Sequence, residues 1–169
     1  MDDKGSICSP PLLVYRIQNS NHVGIELAAQ YENCVMQSEA RWVFVKMLDG
    51  TTETFPGAYA QVRYLLTGER LPYNKKGGVF GLVVPDDEFR FSSGGLGAWE
   101  AAARWSYIDL NGTNIPGPGR RLNDVTVGLN WYLNRFTKFQ FNYIHAFLDD
   151  PITGKSDTDV IAARTQFDF

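Results

Sequence analysis

The stretch DVTVGLNWYL, residues 124–133, decides the fold, because large apolar side chains occupy every second position in it. In an extended strand successive side chains point to opposite faces, so this alternation predicts a β-strand with one apolar face. The apolar members are Val125, Val127, Leu129, Trp131 and Leu133, and they alternate with Thr126, Gly128, Asn130 and Tyr132.

The same period of two recurs along the rest of the chain. Most of the segments span ten to twelve residues, whereas a strand of a soluble protein averages ~5–6 and a membrane-spanning strand needs ~9–11. We therefore predict an all-β fold, an antiparallel transmembrane β-barrel of the outer-membrane type with about seven or eight strands. The predicted strands are residues 22–32, 35–44, 58–66, 99–108, 124–133, 138–143 and 161–169, with an eighth candidate at 12–18.

Composition excludes several other classes of protein. Hydrophobic residues make up 44% of the 169 residues and aromatic residues 14%, too large a share for a disordered chain. No long uncharged apolar run is present, which excludes transmembrane helices. The net charge of -3 offers no basic surplus for a phosphate backbone, so a nucleic-acid partner is not expected.

The two predicted faces differ in a way that favours a membrane over an aqueous surround. One face is apolar with aromatic residues near the strand ends, and the other carries Glu, Gln, Asn, Arg, Ser, Thr and Gly. In a membrane barrel the apolar face meets lipid and aromatic girdles lie at the two interfaces. The predicted girdle residues are Trp42, Trp99, Trp105, Trp131 and Tyr143.

The connections fit short turns at one end and longer loops at the other. Residues 134–137 form a tight turn, and residues 111–121 and 149–154 form longer loops. The longest connection, residues 68–97, contains the apolar run VFGLVV at 79–84, so we expect it to pack against the rest of the protein. It folds into the barrel lumen as a constriction, or it forms a further hairpin or a surface flap.

Several motifs in order resemble the phosphate-selective porin O and P family of Gram-negative outer-membrane channels. The resemblance covers about residues 24–169, while residues 1–21 match no pattern. It implies a sixteen-stranded, trimeric, water-filled barrel that passes anions such as phosphate, of which this chain resembles the C-terminal half without its signal peptide. The motifs are YLLTGERLPY (64–73), GVFG (78–81), GAWEAAARWS (97–106), VGLNWYLN (127–134) and NYIHA (142–146).

The chain divides accordingly into an unmatched segment, residues 1–21, and a porin-like segment, residues 22–169, with the long connection at 68–97. The C-terminal segment alternates apolar residues up to Phe167 and Phe169, which resembles the signal read by the outer-membrane assembly machinery. If Phe169 ends on the periplasmic side, the long connection is also periplasmic. We expect the bacterial outer membrane as the location, although no signal peptide is visible.

Catalytic chemistry has little support in the sequence. The two histidines, His22 and His145, lack an HExxH pattern, and the acidic residues of 149–159 do not have the spacing of a calcium-binding loop. We expect no enzyme activity, no metal and no cofactor.

An anion pore needs arginine or lysine side chains that face its lumen. The alternation places five cationic residues on the polar face among carboxylates, so each one either contacts the solute or pairs with a neighbouring carboxylate. The long connection carries four more. The candidates are Arg41, Arg63, Arg104, Lys138 and Arg164 on the strands and Arg70, Lys75, Lys76 and Arg90 in the connection.

The function expected is passive diffusion of small anions through an outer-membrane porin, with membrane lipid, the assembly machinery and two further copies of the chain as partners. Two other functions stay open. A complete eight-stranded barrel would act as an anchor or adhesin, although its many small lumen residues would leave the interior underfilled. A soluble β-sandwich binding module is the third, and the long strands and the terminal Phe oppose it.

Overall fold

The computed structural model describes residues 17–74, 76, 79–92, 94–112 and 119–168. The described residues form strands, turns and irregular connections, with no helix that could cross a membrane. The nine strands are β1 (Ile17–Tyr31), β2 (Cys34–Met47), β3 (Thr52–Leu65), β4 (Tyr73–Asn74), β5 (Val79–Phe80), β6 (Ala98–Asp109), β7 (Arg121–Tyr132), β8 (Thr137–Asp150) and β9 (Gly154–Phe167).

Seven long strands form one antiparallel sheet in the order β1-β2-β3-β6-β7-β8-β9, and β4 pairs with β5 in a short hairpin. The predicted all-β antiparallel fold is confirmed. The sheet is open, because β1 and β9 pair on one side only within the described residues. This is the arrangement of a partial barrel, and it leaves no closed eight-stranded barrel in this part of the chain.

The strands are longer than the alternation indicates, at 12 to 15 residues. The first begins at Ile17 rather than at residue 22, because Ile17 and the polar residues 19–22 pair with β2, with a register shift at Gln18, although residues 19–22 show no alternation of hydrophobicity. Of the eighth candidate strand, residues 12–16 lie outside the described residues, and residues 17 and 18 belong to β1.

Cross-strand pairing places apolar residues of one strand beside apolar residues of the next across the sheet. Val127 of β7, for example, pairs with Ala103 of β6 and Tyr143 of β8. We call the side that carries these three residues the apolar face and the opposite side the polar face. Apolar-face side chains are exposed to an unusual degree, 70% for Leu27 and 87% for Ile161, and no second sheet covers them in the described ranges. A soluble sandwich would cover this face, whereas a membrane protein presents it to lipid.

The apolar face is close in height to the apolar band of a bilayer protein. On β6 it runs from Trp99 to Tyr107, eight residues apart, which is about 26 Å along the strand at ~3.3 Å per residue. On β8 the same interval separates Phe139 from Phe147. At the ~40° tilt of strands in outer-membrane barrels this length is about 20 Å along the membrane normal, comparable with the ~25 Å apolar band of such barrels.

Turns and connections segregate to two ends. The β1–β2 and β7–β8 turns and the described parts of the connection between β3 and β6 lie at one end, called here the connection end. Residues 48–51, 110–112, 119–120 and 151–153 lie at the other, the loop end. In the loop-end turn 48–51, Asp49 Oδ1 accepts hydrogen bonds from the Thr51 hydroxyl at 2.7 Å and the Thr51 backbone N–H at 2.9 Å. These bonds favour the ionised carboxylate and lower the pKa of Asp49.

The first half of the long connection packs against the polar face. The buried cluster joins Leu71 and Val83 of the connection, with Phe80 against them, to strand residues at the connection end. The strand members all belong to the polar face: Val35, Leu65, Ala98 and Tyr132. The connection thus contains a short hairpin, which is one of the alternatives expected for it, and its first half lies against the polar face.

The junction with β6 depends on Gly97. Its φ is +68°, and a Cβ there would overlap the Tyr132 carbonyl oxygen. We expect Gly97→Ala to lower the free energy of unfolding in detergent micelles by at least about 1 kcal/mol, measured by denaturant titration. The control is Gly24→Ala, where the nearest atom to a Cβ, the Ala40 carbonyl oxygen, is 3.5 Å away, and we expect a change within about 0.5 kcal/mol. Equal effects would contradict this explanation.

Candidate functional site

All five cationic candidates of the strands lie on the polar face. Arg41, Arg63 and Arg104 belong to β2, β3 and β6, and Lys138 and Arg164 belong to β8 and β9. Their positions follow from the register, since each pairs with a polar-face neighbour, as Arg63 does with Val35 and Ala102. The sheet therefore brings the five to one surface, where they differ in what they contact.

Two of the five are paired with carboxylates. Arg41 Nη2 lies 2.5 Å from Glu39 Oε1, and Arg63 Nη2 lies 2.6 Å from Glu100 Oε2. The pair on β2 is exposed on the arginine side, while Glu100 is 1% exposed. For these two arginines the geometry matches pairing with a neighbour more closely than an open solute contact.

Glu100 belongs to a chain of hydrogen bonds that crosses four strands. Its Oε1 accepts a bond of 2.7 Å from Asn130 Nδ2, and Asn130 Oδ1 accepts a bond of 3.2 Å from Gln140 Nε2. Arg63 donates to Oε2 through both Nε and Nη2. A buried carboxylate is tolerated because both of its oxygens have donors, so this chain locks β3, β6, β7 and β8 together beside the buried cluster.

The other three cations have no carboxylate oxygen within 4.0 Å among the described residues. Arg104 stacks its guanidinium over the Tyr59 ring at 4.3 Å and is exposed, Lys138 lies 5.7 Å from the Tyr132 ring centroid, and Arg164 is exposed. An aromatic ring orients an arginine while leaving its N–H groups free for an anion.

Arg104 borders an open depression of about 430 Å³ on the polar face. Arg41 lines the same depression together with Tyr59 and Ser106, and two carboxylates, those of Glu39 and Asp124, complete the polar part of its wall. Ser106 donates a hydrogen bond to Asp124, and Glu39 is paired with Arg41. Glu39 therefore shares its charge with Arg41, Asp124 keeps its charge beside a neutral hydroxyl, and Arg104 has no carboxylate oxygen within 4.0 Å among the described residues.

One glycine makes room for a longer side chain on the polar face. A Cβ on Gly128 would overlap Asn142 Oδ1, so the Asn142 side chain lies against the backbone of β7. This contact accounts for a glycine at that position of β7.

The connection candidates are dispersed. Arg70 Nη2 lies 3.8 Å from Glu32 Oε1 in the β1–β2 turn, and Lys76 and Arg90 are exposed. Lys75 lies outside the described residues. An ion pair thus links Arg70 to the β1–β2 turn. In the described ranges no ion pair links a candidate cation of the connection to the carboxylates beside the strand cations.

The girdle candidates all lie on the apolar face. Trp99 and Trp131 stack at the connection end, with their ring centroids 5.1 Å apart. Trp105 stacks on Tyr107 nearer the loop end, with the ring centroids 6.3 Å apart, and Trp42 also lies at that end. Tyr143 lies near the middle of β8, and its hydroxyl donates to Asp159 Oδ1 at 2.7 Å. Phe167 belongs to the apolar face, and Phe169 lies outside the described residues.

Sequence reasoning left Tyr59 and Asn130 out of the candidate site. Tyr59 is an aromatic residue at a polar-face position of β3, an exception to the alternation that was visible in the sequence and could have marked it. Asn130 carries no such signal, because an Asn on a polar face is ordinary. In the described part of the chain no cluster of His, Cys, Asp and Glu could hold a metal ion.

Comparison with known proteins gives two kinds of match. Residues 15–169 match the sequence model of the family described as phosphate-selective porin O and P. An uncharacterised protein of Caulobacter vibrioides is 30% identical over 163 residues, and Porin O of Pseudomonas aeruginosa is 32% identical over 123 residues. The alignments include 92% and 67% of this chain but only 31% and 26% of the relatives, so the chain spans less than a third of their length.

Proposed function

Because the chain belongs to the family of phosphate-selective porins O and P, we propose that it forms part of the wall of an outer-membrane channel for small anions such as phosphate. Family membership points to a porin of the outer membrane, and the 12- to 15-residue strands with an exposed apolar face agree with it. Transport is passive diffusion, and no catalytic step is part of the proposal.

One observation carries the anion preference. On the polar face, Arg104 is held by the Tyr59 ring with its guanidinium exposed, while the nearby Glu39 is paired with Arg41. Among the described residues of this face, the candidate cations without a carboxylate partner are Arg104, Lys138 and Arg164. Such cations on a pore wall attract anions from the bulk. The charge of Asp124, whose partner is the neutral Ser106 hydroxyl, opposes them in part.

The long connection adds a narrowing. Its first half packs against the polar face through Leu71, Phe80 and Val83, so in a channel it would occupy part of the cross-section at the connection end. Its position supports the infolded constriction expected from the sequence. The trimer and recognition of the segment ending at Phe167 and Phe169 by the assembly machinery belong to the same proposal.

The test is planar-bilayer conductance of the refolded chain in asymmetric KCl, with phosphate as competitor. We expect anion-selective steps that phosphate blocks. Arg104→Gln should lower the anion permeability by about fivefold, the effect of one unit charge ~4 Å from the ion in a water-filled pore, and should lower the anion-to-cation permeability ratio by at least that factor.

The matched control is Arg135→Gln. Arg135 also lies over an aromatic ring, that of Phe136 at 4.9 Å, but it belongs to the β7–β8 turn and not to the polar face. We expect its permeability ratio to equal that of the unmodified chain. Cation selectivity or equal effects of the two variants would each contradict the proposal, whereas silence from a chain that circular dichroism shows to be folded would mean that the pore needs the rest of its wall.

A further inference from the structure

The second half of the long connection contacts the apolar face, in contrast to the first. The Phe89 ring contacts the Trp131 ring of the apolar face edge-on, with the ring centroids 5.0 Å apart. Phe91 contacts Phe89 edge-on, with the ring centroids 4.9 Å apart. The Leu96 carbonyl oxygen accepts a 2.8 Å hydrogen bond from Trp131 Nε1. Since Trp131 stacks on Trp99, these residues continue a row of aromatic rings at the connection end.

Two of these residues are largely exposed, Phe91 at 97% and Leu96 at 68%. We call Phe89, Phe91 and Leu96 the interfacial patch. Large apolar side chains grouped beside one another on a surface mark a contact with another apolar phase or partner.

The place of the patch in the sheet limits what can cover it. It adjoins β6 and β7, the fourth and fifth of the seven strands, whereas further strands can join the sheet only at β1 or β9. The patch also lies on the side of the sheet opposite to the first half of the connection. A further strand of the sheet therefore cannot cover the patch, and its cover must lie against the apolar face from outside, as lipid or as another copy of the chain.

The charged residues beside the patch limit which kind of lipid surface can cover it. Residues 86–88 are Asp, Asp and Glu, all exposed, and Arg90 is the nearby exposed cation. An acidic segment is repelled by an anionic lipid surface, while a zwitterionic surface accepts it. Aromatic side chains at the level of lipid headgroups are the usual anchors of barrels, because one end of such a site is apolar and the other is wet.

We propose that the interfacial patch of the connection inserts Phe91 and Leu96 into the headgroup region of a zwitterionic phospholipid leaflet, so that one connection narrows the pore with its first half and anchors to the membrane with its second. The inference rests on the proposed membrane location. It adds a membrane contact on a connection, in addition to the girdle residues of the strands.

The test uses the full chain with Cys8→Ser and Cys34→Ser, reconstituted in vesicles of phosphatidylcholine and phosphatidylethanolamine. Single cysteines at Phe91→Cys, Leu82→Cys and Val127→Cys carry an environment-sensitive nitrobenzoxadiazole label. Leu82 is the matched control, because it lies in the first half of the connection and is 59% exposed. Val127 reports insertion of the apolar face. Quenchers are aqueous iodide and lipids with a nitroxide at a shallow or a deep acyl position.

We expect the label at 91 to be protected from iodide and to be quenched most by the shallow nitroxide. The label at 127 should be quenched most by the deep nitroxide. The label at 82 should be quenched by iodide alone. Iodide quenching at 91 equal to that at 82, with 127 protected, would overturn the patch alone. Iodide access at 127 would overturn the membrane location itself and the patch with it. If the quenching at 91 depended on the protein-to-lipid ratio and not on the nitroxide, the patch would contact a second copy of the chain instead of lipid, and the proposal would be overturned.

Discussion

Glu100→Ala is expected to lower the free energy of unfolding by about 3–5 kcal/mol, because it removes one partner of a buried ion pair and leaves the other charge uncompensated. Glu100 is 1% exposed, accepts two bonds from Arg63 and one from Asn130, and adjoins the buried cluster. After the substitution the Arg63 guanidinium keeps its charge but loses its acceptor. The measurement is denaturant unfolding in detergent micelles.

The control is Glu26→Ala, which removes an exposed carboxylate of the same face on β1, and we expect a change below about 0.5 kcal/mol. The double variant Arg63→Met with Glu100→Leu should recover most of the loss, since apolar residues of similar volume often replace a buried pair without cost. If Glu100→Ala and Glu26→Ala were equally mild, the burial and pairing of Glu100 in solution would be disproved.

Val127→Arg is expected to destabilise the folded chain in a bilayer by about 2–4 kcal/mol, the cost of an arginine facing lipid at the midplane. Val127 lies midway between Trp131 and Asn123 on the apolar face of β7, pairs with Ala103 and Tyr143, and is 48% exposed. Lipid would have to solvate the new guanidinium there. The readout is the folded fraction in vesicles across a denaturant series.

Val160→Arg is the matched control for this effect. Val160 is also a valine, is 42% exposed and lies one residue from Ile161, the partner of Tyr143, but it points to the polar face. In a water-filled lumen the arginine keeps its hydration, so we expect a change within about 0.5 kcal/mol. Equal destabilisation by both variants would indicate that the two faces do not meet different solvents.

The period of two was sufficient to predict the seven strands and the face on which each candidate residue lies. It worked for β7 because every second residue of 125–133 is large and apolar, a pattern that a strand with one apolar face requires. It failed at the start of β1, where residues 19–22 are polar on both faces and only pairing with β2 defines the strand. Strand ends of this kind depend on a partner strand that local sequence does not reveal.

The contacts within the site were less accessible to prediction. Arg63 and Glu100 were both assigned to the polar face, yet their pairing depends on the register of β3 with β6 across the whole connection. The run at 79–84 was expected to pack, and Val83 does so, but nothing in the sequence indicated that Phe89 would contact the other face. Long-range register and the path of an irregular segment follow from tertiary packing.

The length of the long connection has a consequence for the order of folding. Residues 66–97 are eight times as many as the four of the β7–β8 turn, so closing the β3–β6 junction costs about 1.8 kcal/mol more in chain entropy. The meander β1-β2-β3 and the meander β6-β7-β8-β9 each have only short or moderate closures, and local pairings form before distant ones. The two meanders are therefore natural folding units. Burial of Leu71 and Val83 offsets part of the cost of joining them, so we expect the connection to become ordered after the two meanders.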